Sequence, residues 1–94
     1  MLRLMSKVED TFQLSGRPSV VVVPGVPRQG TWRVKVGSPV VLKRPDGSEI
    51  ATIVGGLEMA SPPNPDSIAL MLGPGLTKET VPIGTEIWVD DATA

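Results

Sequence analysis

The chain has 94 residues with 40% hydrophobic and 20% charged side chains, nine basic against ten acidic residues, and a formal net charge of −1. That is one small domain spanning 1–94, too short for a deep enclosed active site. It contains no Cys and no His, which excludes thiol nucleophiles, Ser-His-Asp relays, disulfides and zinc centres of the usual ligand type.

Residues 1–10, MLRLMSKVED, lack an apolar signal-peptide core and a small-residue cleavage site, so a cytoplasmic location is expected. Segments 1–6 and 90–94 read as flexible tails around a core of about 7–89. The longest valine run, Val20-Val21-Val22-Val23, is far too short to cross a membrane as a helix.

Ten Gly and ten Pro are spread along the chain, and no segment sustains helical apolar spacing over three turns without one of them intervening. Val and Ile clusters of strand length recur instead, which predicts an all-β domain. The expected strands are 7–14, 19–23, 32–36, 39–43, 49–59, 66–72 and 86–89.

In the first, Phe12 is expected to point inward, and Glu9 and Asp10, adjacent on a strand, point to opposite faces and make no carboxylate dyad. The valine run reads either as a buried strand or as an edge guarded by Pro24 and Pro27. Trp32 stands near a Gly30 turn between Arg28 and Arg33, either as a stacking platform or as a packed side chain.

Lys43-Arg44-Pro45-Asp46-Gly47-Ser48-Glu49 carries the strongest turn signal: Pro pre-sets the first dihedral, Asp caps the turn and Gly accepts positive φ. It should join 40–43 to 49–54 as a hairpin. Gly55-Gly56 predicts a bulge or sharp bend in the next strand, of the kind barrel corners require. The loop Ser61-Pro62-Pro63-Asn64-Pro65-Asp66 cannot donate regularly to a ladder and reads as a stiff connection or a docking ligand. Residues 76–81 suit one helical turn before Pro82, and Trp88, between Ile87 and Val89, is expected to pack at a barrel end. Asp90-Asp91 offers too few ligands for a metal site.

The order of motifs resembles the second domain of elongation factor Tu and its relatives among the translational GTPases. Val8-Glu9-Asp10-Thr11-Phe12-Gln13-Leu14-Ser15-Gly16-Arg17 looks like the family's opening strand. Val34-Lys35-Val36-Gly37-Ser38-Pro39-Val40 is similar to its K-V-G-D-x-V, Gly56-Leu57-Glu58-Met59 to its G-V-E-M, and the segment 75–84 follows in family order. The resemblance covers about 8–89 and implies a closed or nearly closed six- to seven-stranded antiparallel Greek-key barrel. It further implies contact with tRNA or ribosomal RNA, or with a separate GTPase domain. Glu58 matches the glutamate that lines the family's pocket for the terminal adenosine of aminoacyl-tRNA, although Ala60-Ser61-Pro62 stands where a basic residue should follow. Segment 17–37 is longer than the pattern and carries Pro18, Pro24 and Pro27. With no G-x-x-x-x-G-K-[ST] loop in the chain, nucleotide hydrolysis is not carried over, and no cofactor is expected.

The charge is asymmetric: residues 1–44 hold eight basic side chains against two acidic ones, and residues 45–94 hold Lys78 against eight acids. Arg17, Arg28, Arg33, Lys35, Lys43 and Arg44, with Trp32 and Glu58, are therefore the candidate contacts for RNA or a protein partner. Aromatic support for RNA stacking is limited to Phe12, Trp32 and Trp88. A non-catalytic binding module of translation-factor type is the expected function, with a protein-interaction or purely structural barrel as the alternative.

Overall fold

In a computed structural model of the chain, the structure describes residues 2–13, 16, 19–27, 32, 34–58 and 67–90. They form seven strands: β1 (Leu2–Lys7), β2 (Asp10–Phe12), β3 (Val21–Pro27), β4 (Pro39–Lys43), β5 (Glu49–Glu58), β6 (Ser67–Leu72) and β7 (Glu86–Asp90). All pairings are antiparallel, in the order β1-β7-β4-β5-β6-β3-β2.

Period-two alternation builds the central strands. In β4, Val40 and Leu42 are buried while Pro39, Val41 and Lys43 face out, and in β7 Ile87 and Val89 point inward between Glu86, Trp88 and Asp90. Two structured turns set their ends. Gly47 N–H donates to Arg44 O at 2.9 Å and Arg44 N–H to Ser48 O at 2.8 Å, closing the β4–β5 hairpin where the Pro-Asp-Gly signal places it. After β6, Val81 N–H donates to Thr77 O at 3.1 Å, the single turn expected before Pro82.

The sheet curls where its register slips. The β5–β6 pairing shifts between Val54 and Gly56, as the paired glycines predict. The β3–β6 pairing shifts between Val22 and Val26, around Pro24, which has no N–H to give to the ladder.

The chain itself ties the two ends of the sheet together. Val8 N–H donates to Thr85 O and Gly84 N–H to Val8 O, while the next residue, Glu9, donates its N–H to Val23 O, each at 2.8 Å. Consecutive residues thus bond toward opposite ends of the sheet, one beside the start of β7 and the other in β3. Since β1 ladders with β7 and the three-residue β2 with β3, the described strands form a curled half-barrel and not a closed barrel, where a closed or nearly closed one was expected.

The core inside the curl is aliphatic. It is built from residues including Val8, Val22, Leu42, Val54, Leu70, Leu72, Val81 and Ile87, with Trp32, Val34, Ile50 and Leu76 packed against it. Each fully buried Val or Leu contributes about 1.5–3 kcal/mol relative to an exposed one, which is how so small a sheet holds together. Val20, Val21 and Val22 are buried and β3 lies between β6 and β2, so of the two readings of the valine run the buried strand is the one observed.

Several expectations are corrected. Residues 2–6, expected to fray, form most of β1, with Met5 in the core, because the outermost side of β7 supplies a partner. Asp90, expected in a tail, completes β7 opposite Leu2. The expected strand at 32–36 is absent among the residues described there: Trp32, Val34 and Lys35 are unpaired in the sheet and Val36-Gly37 is a turn. Phe12 is outward and exposed because Thr11, opposite Val22, takes the inward position. The loop 61–66 lies outside the described residues. Among the described residues no helix is long and apolar enough to cross a membrane.

Candidate functional site

The register of the four strands β1, β7, β4 and β5 brings side chains from both halves of the sequence onto one outer face. Lys7 pairs with Glu86, Glu86 with Lys43, and Lys43 with Glu49, so one row across the sheet reads plus, minus, plus, minus. Oppositely charged residues directly across an antiparallel pair stabilise it by a few tenths of a kcal/mol, up to about 1 kcal/mol. The four line an open cleft of about 490 Å³ together with Arg44 and Ile83.

The row behind it is apolar. Leu4 pairs with Trp88, Trp88 with Val41, and Val41 with Ala51. Trp88, expected at a barrel end, lies instead mid-face and half-buried, because the inward positions of β7 belong to Ile87 and Val89. Its ring carries Lys43 Nζ at 4.4 Å from the centroid, and its Nε1–H donates to Glu86 Oε1 at 3.0 Å. The third row holds Leu2 opposite Asp90, and Pro39 opposite Ile53.

Of the residues singled out from the sequence, Lys43 and Arg44 meet in the cleft, whereas Lys35 precedes the other end of β4. Lys35 is committed to a turn there, its N–H donating to Ser38 Oγ at 3.1 Å and its carbonyl accepting from Ser38 N–H at 3.0 Å. Arg44 is committed to structure, donating from Nε to Ser48 Oγ at 2.7 Å and from Nη1 to Thr80 O at 3.3 Å. Trp32 packs against the core with the Arg3 guanidinium 3.9 Å over its ring, so of its two readings the packed side chain is the one observed. Glu58 closes β5, half-buried and opposite Ala69. Arg17, Arg28 and Arg33 lie outside the described residues.

Lys7, Glu49, Glu86 and the outward leucines of β1 were missed as site residues, since only the pairing of β1 with β7 across the chain termini assembles them. Beside the turn, the Asp46 carboxylate accepts from the hydroxyl and the N–H of Ser48. Those bonds, with the Arg44 charge nearby, hold its carboxyl below the ordinary aspartate value.

Comparison with protein-family models, with curated proteins and with solved structures gave no match.

Proposed function

We propose that the chain is a non-catalytic binding module that contacts protein through the outer face of β1, β7, β4 and β5. The observation that carries this reading is the side-by-side arrangement of an apolar row, Leu4-Trp88-Val41-Ala51, and a charge row of alternating sign, Lys7-Glu86-Lys43-Glu49. An alternating row builds little net potential toward a phosphate backbone, whereas apolar surface rimmed by charges of both signs suits a protein surface.

A second reading, contact with tRNA, ribosomal RNA or a ribonucleoprotein in a cytoplasmic, translation-related setting, rests on the resemblance to the second domain of elongation factor Tu. Greek-key connectivity and a separate GTPase domain as partner belong to the same reading. The convergence of Lys7, Lys43 and Arg44 on one cleft favours it.

A pull-down with the wild type and with Leu4→Glu, each with and without nuclease, separates the two. Protein capture that survives nuclease and moderate salt and is lost in Leu4→Glu supports the first reading. Capture abolished by nuclease, with amide shifts around Lys7, Lys43 and Arg44 on titration with tRNA that vanish at physiological salt, supports the second.

A further inference from the structure

The outer face of β1-β7-β4-β5 has a symmetry that points to one particular occupant. Take a two-fold axis lying in the plane of the face, parallel to the strands and passing between β7 and β4. It lays the face on a second copy of itself with each row kept in place and its strand order reversed, so β1 meets the partner's β5 and β7 the partner's β4. In the charge row, Lys7 then opposes Glu49 of the other copy, and Glu86 opposes Lys43. In the next row Leu4 opposes Ala51 and Trp88 opposes Val41, and in the third Leu2 opposes Ile53. Every charge of the first row meets its opposite and the apolar positions of the second row meet apolar positions, with Asp90 over Pro39 at the rim. An axis perpendicular to the strands would instead set the charge row against Leu2 and Ile53 and leave it without counter-charges. We infer that this face binds a second copy of the chain as an isologous, face-to-face sheet dimer. The inference rests on the reading of this face as a protein-contact surface and names the partner.

Exposure supports it. Leu2, Leu4 and Ile53 are 43%, 44% and 44% exposed, and all three lie on this one face. Side chains of two such faces interdigitate when sheets pack about 10 Å apart at the usual aligned angle. Trp88 stands beside the axis, where a central aromatic contributes most to an interface. Four strands about 4.8 Å apart and some 20 Å long present roughly 400 Å² per copy, less than a stable dimer buries, so the pairing is a weak and transient one.

Sedimentation equilibrium from about 10 µM to about 1 mM reads this range of affinity. Wild-type protein should move from its monomer mass of 9.9 kDa toward twice that value as concentration rises. Lys43→Glu and Glu86→Lys should each weaken self-association by about tenfold, because each sets like charges across the axis twice. An equimolar mixture of the two variants should associate again, since Glu86 of the first meets Lys43 of the second and the introduced Glu meets the introduced Lys. Circular dichroism melts check that both variants fold. Should either fail, Leu2→Ser/Ile53→Ser, at two exposed positions, replaces it and should also weaken the dimer.

A wild type that stays monomeric at the highest concentration overturns the inference, as does a mixture of folded variants that does not re-associate. If the wild type is monomeric but Leu4→Glu still abolishes nuclease-resistant protein capture, self-pairing alone is overturned. If Leu4→Glu changes neither capture nor mass, the contact face itself is overturned.

Discussion

Lys43 Nζ lies 4.4 Å from the centre of the Trp88 ring, whose indole N–H donates to Glu86 Oε1 at 3.0 Å. One half-buried aromatic thus engages the cation by its face and the anion by its edge, and lets two neighbouring charges sit on an apolar surface. A cation over an indole contributes about 0.5–1 kcal/mol at a solvent-accessible site. Lys43→Met, which keeps the apolar stem and removes the charge, should lower the unfolding free energy by at least that amount in urea followed by circular dichroism, since it also removes the charge facing Glu86 and Glu49. Glu86→Gln, which keeps an acceptor for the indole, should change it by less.

Asp46 gives a pH signature to the β4–β5 turn. Its carboxylate accepts from Ser48 Oγ and, at 2.9 Å, from Ser48 N–H, and its pKa is lowered from the ordinary value, mainly by these two bonds. A carboxyl whose pKa is lower folded than unfolded adds stability above the unfolded value of about 3.9, and that contribution is lost as pH falls through the lower, folded value. The group is fully exposed, so the effect belongs to the turn. An NMR titration of the Asp46 carboxyl should give a pKa below that of an unstructured aspartate. Ser48→Ala should raise it toward that value, because the hydroxyl bond, the largest cause of the lowering, is lost while the backbone bonds and the Arg44 charge remain.

Two glycines separate backbone conformation from close approach. Gly47 sits at φ +91 with open space where a Cβ would go, so Gly47→Ala carries only the penalty of the left-handed backbone, about 1–2 kcal/mol. Gly25 crosses β6 so tightly that a Cβ would overlap Ile68 O and come within 2.7 Å of Leu70 N. Both are backbone atoms in a ladder and cannot rotate away. Gly25→Ala should therefore cost more than Gly47→Ala, at least about 3 kcal/mol. Urea midpoints of the two variants compared with wild type give the order directly.

How far the sequence disclosed this structure follows from the range of the interactions involved. The β4–β5 hairpin was legible because Pro45, Asp46 and Gly47 encode it within a few residues, and the bulge at Gly55-Gly56 because glycine pairs mark it locally. What escaped was long-range. Leu2–Lys7 becomes a strand only because β7, from the far end of the chain, pairs with it. Its apolar residues do not alternate cleanly, since Leu2 and Leu4 face out, Met5 faces in and the register slips between Leu4 and Ser6. The charge row was hidden for the same reason, its four members coming from four strands. Residues 32–36 carry a tryptophan and valines at strand spacing, yet Trp32 and Val34 pack against the core from outside the ladder, which apolar spacing alone does not distinguish from strand pairing.

The clearest test of β1 compares two neighbouring side chains. Met5 is buried in the core cluster whereas Leu4, next to it, faces outward and is exposed. Removing a buried Met side chain to Ala costs about 2–5 kcal/mol through lost transfer energy and the cavity left behind, while truncating an exposed leucine costs no more than about 0.5 kcal/mol. Met5→Ala should therefore shift the urea midpoint strongly and Leu4→Ala hardly at all. Met5 lies three residues from the point where Val8 and Glu9 join opposite sides of the sheet, so its loss should also loosen the curl. Amide exchange at Val8 and Glu9 in Met5→Ala should speed up more than exchange in the β4–β5 hairpin. Equal, small effects of the two alanines would mean that residues 2–6 do not pair with β7, and with that pairing would go the four-strand outer face on which the proposed contact surface stands.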